Sequence, residues 1–62
     1  MKGKIIDFDL NSNKGKISGY DGNRYDFTKI DWKSNGNPIK QLEVDFDIHE
    51  NYAKEIFCLE IL

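Results

Sequence analysis

The residues best spaced to do chemistry are basic. Lys14 and Lys16 stand two apart in an alternating stretch, with Arg24 and Lys29 in the run that follows and Lys4 near the start. Side chains two apart on a strand share a face, so Lys14 and Lys16 can act together. Cations on one face can hold a phosphate backbone through contacts that tolerate any sequence and weaken with salt. A second reading needs no ligand: in the register favoured below, Lys16 sits opposite or diagonal to Asp26, and such cross-strand pairs stabilise a solvated surface by about 0.2–1 kcal/mol. Asp7 and Asp26 would also repel phosphate. The other candidates carry less. Asp7 with Asp9, and Asp45 with Asp47, each lie about 7 Å apart on the outer face of one strand, without a histidine or a third carboxylate to complete a metal site or an acid–base dyad. His49 is the only histidine and has no nearby serine or cysteine with which to build a triad. Cys58 reads as a small strand hydrophobe, and Asp21-Gly22 as a turn. We therefore expect no enzyme, no cofactor and no metal.

A chain of 62 residues is one small domain, expected to span residues 1–62. It buries only about 60% of its unfolded surface, so it needs nearly every apolar side chain for its core. Aromatics at 13% argue against disorder. One cysteine excludes an internal disulfide and a cysteine-rich zinc site, which fits a reducing compartment, and we expect a cytoplasmic location. Residues 1–6 lack the apolar core of a signal peptide, and the longest apolar run, 56–59, is too short to cross a bilayer. The net charge of −2 hides an asymmetry. Residues 1–40 hold eight basic and five acidic side chains, net +3, and residues 41–62 hold one and six, net −5. One end can present a basic surface that the total conceals.

These groups are positioned by strands. Residues 14–27 form a hairpin around Asp21, Gly22 and Asn23, with Ile17, Tyr25 and Phe27 on one face and Lys14, Lys16, Ser18, Arg24, Asp26 and Thr28 on the other. A two-residue loop would set Ile17 against Asp26 and mix the faces. An odd-length loop keeps the apolar set together, with Gly22 or Asn23 at positive φ. Residues 4–10 form a first strand whose apolar parity changes between Ile5 and Phe8, which calls for a bulge or sharp bend. Residues 11–13 are turn chemistry. Residues 29–33 break the alternation and read as a short helical cap, with Ile30 or Trp32 plugging the core. Residues 34–38 are loop. Residues 42–48 form the cleanest strand, with Leu42, Val44, Phe46 and Ile48 inward. Residues 53–59 form the fifth, with apolar residues on both faces. Phe57, Leu59, Ile61 and Leu62 exceed what one inner face can hold. We expect them to wrap over the barrel floor rather than to form an exposed partner-binding edge. The fold class expected is all-β, a small five-stranded antiparallel barrel, since closure removes exposed strand edges.

The order of elements resembles a cold-shock domain, the smallest form of the OB-fold. The resemblance runs from residue 1 to about residue 56 through KGKIIDFD at 2–9, GKIS at 15–18, Asp21-Gly22, Tyr25 to Phe27, VDFDI at 44–48 and AKEI at 53–56. More narrowly, ISGYDGNRY at 17–25 with Asp31, Trp32 and Lys33 resembles a divergent cold-shock-like group that in bacteria occurs alone or ahead of small membrane segments. The resemblance implies binding of single-stranded nucleic acid by stacking bases on aromatic rings from the first three strands. Two family motifs carry those rings. Lys-Gly-Phe-Gly-Phe-Ile falls on residues 12–17, where Lys14 and Lys16 replace both phenylalanines. Val-Phe-Val-His-Phe falls on residues 25–29, where Asp26, Thr28 and Lys29 replace the outward side chains. An exposed tryptophan of the family is Asp7 here. Phe8 remains as a ring, with Tyr20 in the hairpin loop as its helper. Stacking contributes about 1–3 kcal/mol per base, so a face stripped of rings relies on charge.

The expected function is accordingly a non-enzymatic module that binds single-stranded RNA or DNA weakly and electrostatically. Its site would comprise Phe8, Lys14, Lys16, Tyr20, Arg24 and Lys29. The alternative is a structural or protein-interaction module that keeps the barrel without the ligand, in a larger or membrane-associated assembly. We expect a monomer or weak homodimer that does not itself insert into a membrane.

Overall fold

Parity governs the central hairpin. In the computed structural model, which describes residues 1–59, β2 (Lys14–Gly19) and β3 (Arg24–Thr28) pair with Ile17 opposite Tyr25 and Gly15 opposite Phe27. The loop has the expected odd length. The Gly19 N–H donates to the Asn23 carbonyl at 2.8 Å, enclosing residues 20–22, and Gly22 takes the positive φ of 89° that glycine adopts without a Cβ clash. All the apolar side chains of the hairpin thus fall on one face.

The first strand, β1 (Lys2–Asp9), supplies the bulge its parity change requires. Ile5 pairs with Ile17, but the next rung joins Asp7 to Lys16 and leaves Ile6 as the extra residue. Ile5 is therefore fully buried, and Phe8 still turns inward to pack against the core. Phe8 lies opposite Gly15, which lies opposite Phe27. The two rings stack across the glycine with centroids 5.8 Å apart and planes 14° apart.

Two further strands, β4 (Glu43–His49) and β5 (Tyr52–Cys58), complete a closed barrel in the order β1-β2-β3-β5-β4, with β4 returning to β1. The expectation of a wholly antiparallel barrel is corrected at one seam. β3 and β5 run parallel, joined at Asp26 and Tyr52 and again where Trp32 bridges Ile56. These strands are not consecutive, so no hairpin forces them antiparallel. β5 carries its own extra residue: the pairing slips between Asp45 and Asp47, and Glu55 takes a φ of 51°. Ala53 and Ile56 both reach the interior as a result.

A 3₁₀ turn at Lys29–Asp31 follows β3, and it decides which residue plugs the barrel end. Trp32 is 8% exposed and Ile30 is 83% exposed. The indole N–H of Trp32 donates to the Gly36 carbonyl at 3.0 Å, which satisfies the one polar atom of that buried ring. The core comprises Ile5, Ile17, Tyr25, Phe27, Trp32, Val44, Phe46, Ala53 and Ile56.

Two expectations about side-chain direction fail. Ile48 shares the parity of Val44 and Phe46 but is exposed, because it sits one residue from the end of β4 beside a tight turn at residues 50–51, past the packed interior. Phe57 and Leu59 do not cover the barrel floor. They are 49% and 40% exposed, since the slip in β5 gives the inward position to Ile56 and turns Phe57 outward beside Asp45. Ile61 and Leu62 lie outside the described residues. No helix among the described residues is long and apolar enough to cross a membrane.

The approach of β1 and Phe27 at Gly15 is testable. A Cβ there would lie 2.5 Å from the Asp7 carbonyl oxygen and 2.6 Å from the Phe27 ring. Backbone cannot yield as a flexible side chain can, so Gly15→Ala should cost about 1–3 kcal/mol, read as a lower urea midpoint at unchanged slope. A variant as stable as the parent would contradict this packing.

Candidate functional site

Three rungs cross the outer face of β1, β2 and β3. They are Lys4–Ser18–Arg24, Asp7–Lys16–Asp26 and Asp9–Lys14–Thr28. Tyr52 continues the middle rung across the parallel seam. Every lysine of β2 thus has an aspartate of β1 beside it. Lys16 also bonds Asp26, Nζ to Oδ1, at 3.0 Å. Both side chains of that pair are more than half exposed, so it stabilises the fold by no more than about 1 kcal/mol. Lys40 stands 3.9 Å from Asp7. Lys14, Lys29, Lys4 and Arg24 make no ion pair among the described residues.

The lower two rungs border a cleft of about 400 Å³ walled by Asp7, Asp9, Lys14, Lys16, Asp26 and Tyr52, with Ser12 and Thr28 at one end. The same Ser12 and Thr28 border a second hollow lined by Asn13, Lys29 and Ile30, so the two hollows adjoin there along a grooved face. Its far end is fixed by the Lys29 N–H donating to the Asn13 carbonyl at 2.8 Å. At the near end Tyr52 is 46% exposed. The Lys54 ammonium lies 5.6 Å from its ring centroid while also bonding Asp31 at 3.3 Å. The arrangement can hold an anion along the lysines and a flat ring at Tyr52. Among the described residues no group of three or more His, Cys, Asp or Glu side chains is placed to hold a metal ion.

Of the residues singled out in the sequence, Lys14, Lys16 and Lys29 come together along this groove. Phe8 is half-buried with its ring stacked on Phe27, and it does not border the groove. Arg24 stands one outward step beyond Asp26 and does not border the groove. Tyr20 is at the other end of the hairpin, where its hydroxyl donates to Glu43 at 2.8 Å. Sequence reasoning missed Tyr52 and Ile30. Tyr52 falls between the strands expected at residues 42–48 and 53–59, and only the parallel seam brings it beside Asp26.

Comparison with protein-family models gives no match for the chain, and comparison with curated proteins gives none either.

The hairpin tip has a separate and structural role. The Asp21 carboxylate accepts from the Asn23 N–H at 3.1 Å, from the Asn23 side-chain amide at 3.2 Å and from the Tyr25 hydroxyl. The Tyr25 bond is the largest cause holding Asp21 below the usual carboxylate value, and the same bond raises the Tyr25 phenol. A carboxylate with a lowered folded-state pKa stabilises the fold above its unfolded value of 3.8, and that contribution is lost as pH falls through the folded value. A phenol raised above 10.0 stabilises below that pH and loses its contribution as pH rises through the folded value. Asp21→Asn should therefore lower stability at neutral pH and flatten the decline seen below about pH 4. Urea unfolding across pH checks this, and an unchanged acid limb would remove Asp21 as its cause.

Proposed function

We propose that the barrel is a cold-shock-like OB-fold and that the chain is a non-enzymatic module binding single-stranded nucleic acid weakly. The strand order, the bulged first strand and the residues quoted above support the fold assignment. The observation that carries the function is the pair of adjoining hollows that bring Lys14, Lys16 and the exposed Tyr52 together in one and Lys29 in the next. Phosphates would follow the lysines, and one base would rest on Tyr52, where stacking is worth about 1–3 kcal/mol. Asp7, Asp9 and Asp26 along the same groove keep the affinity low, because they oppose a continuous phosphate track. A second assignment has its own support: the outward Phe57 and Leu59 would suit a protein-interaction module with a partner on the β4–β5 side.

Titration of short single-stranded RNA and DNA at low and moderate salt, followed by amide shifts, tests the first assignment. Shifts are expected at Gly15 to Ser18, Asp26 to Lys29 and Tyr52. Two or three phosphate contacts give a log–log salt slope of about −1.4 to −2.1 for a single strand. Lys14→Glu with Lys29→Glu should weaken binding to every sequence and reduce the slope by about 0.7 per lysine removed. No shift at millimolar oligomer would sink the proposal and leave the protein-interaction assignment.

A further inference from the structure

We propose that the Tyr52 end of the groove reads a base, and that the base it selects is guanine. This rests on the nucleic-acid assignment above and adds a preference to it. Asp26 and Tyr52 are held side by side: they are register partners across the β3–β5 seam, and the Asp26 N–H donates to the Asn51 carbonyl at 3.0 Å. Both border the same cleft, and both are about half exposed. Lys16 bonds only Oδ1 of the carboxylate, so Oδ2 and the remaining lone pairs stay available to accept.

A carboxylate is acceptor-only, and that sorts the bases. A base stacked on Tyr52 presents its Watson–Crick edge to its surroundings. Guanine offers two adjacent donors, N1–H and the N2 amino group, which match the two carboxylate oxygens in parallel bonds. Adenine and cytosine each offer one amino group next to an acceptor lone pair. Uracil and thymine offer one N–H between two carbonyl oxygens, which the carboxylate repels. The group that disfavours phosphate in the middle rung thus favours a donor-rich base there. Phosphates are left to Lys14 and Lys29 further along, near the hydroxyls of Ser12 and Thr28.

The test uses the full chain and uridine hexamers carrying one central guanosine, inosine, adenosine, cytidine or uridine, titrated at low salt. The guanosine hexamer should bind about tenfold more tightly than the uridine one, the discrimination expected of one bidentate base contact, with shifts centred on Asp26 and Tyr52. Inosine lacks the N2 amino group and should lose most of that advantage. In Asp26→Asn the guanosine-to-uridine ratio should fall to about one, because the new amide donates as well as accepts. Equal affinity for all the hexamers overturns the guanine preference while leaving nucleic-acid binding in place. A preference that survives in Asp26→Asn, or that inosine keeps in full, also overturns it, and the inosine result stands even if the variant does not fold. Absence of binding by every hexamer removes the underlying assignment together with the inference.

Discussion

Two extra residues hold this barrel closed. Ile6 in β1 and Glu55 in β5 interrupt the period-two alternation of their strands. A strand long enough to serve two neighbours in a small barrel must bend, and a bulge bends it while switching which parity faces inward. Without the first, Phe8 would point to solvent once Ile5 is buried. Without the second, Ala53 and Ile56 could not both reach the core. The same switches set the outer face. After the first bulge Asp7 and Asp9 become the outward neighbours of Lys16 and Lys14, and after the second Phe57 and Leu59 turn away from the barrel floor. Core composition and surface chemistry are thus two results of one backbone constraint.

Much of the fold was legible because alternation leaves few choices. The odd hairpin loop followed from keeping Ile17, Tyr25 and Phe27 on one face, and the first bulge from the mismatch between Ile5 and Phe8. Three features were illegible for physical reasons. Ile30 and Trp32 are both large and apolar, and only the geometry of a 3₁₀ turn chooses between them. Ile48 keeps the inward parity of its strand, but parity says nothing about where the packed interior ends. The parallel seam joins strands that are distant in sequence through isolated pairings, and no local pattern announces such a contact. That seam also divides the site. Lys14, Lys16 and Lys29 lie on or next to one hairpin and could be grouped from sequence, whereas Tyr52 comes from the far side of the seam.

Conflict between core and surface demands shapes what the outer face can do. In so short a chain the rings are needed inside. Tyr25 packs on Phe46 with centroids 5.4 Å apart, Phe8 stacks on Phe27, and Trp32 closes one end. Burying each such ring is worth about 1.5–3 kcal/mol, comparable to what one stacked base would return. With Phe8 turned inward and Phe27 buried, Tyr52 is the exposed ring among the described residues that border the cleft, and in the proposed binding charge would do most of the remaining work.

The pattern of that charge matters more than its total. Lysine and aspartate alternate across the middle of the face, and Lys14 and Lys29 lie at one end without an ion pair among the described residues. A uniformly basic face would hold any polyanion, duplex or single strand, with affinity set by salt alone. Alternation removes most of that attraction at the centre, where Lys16 is already bonded to Asp26 and stands beside Asp7. A ligand gains there only by supplying donors to the carboxylates or a flat surface to Tyr52. Duplex nucleic acid offers no free base face to Tyr52 and no free Watson–Crick donors to the carboxylates, because its bases are stacked and paired internally. A single strand can turn a base inward while its phosphates stay at the cationic end. Under the proposed function, the mixed face would therefore lower affinity for polyanions in general more than it would for a strand with free bases.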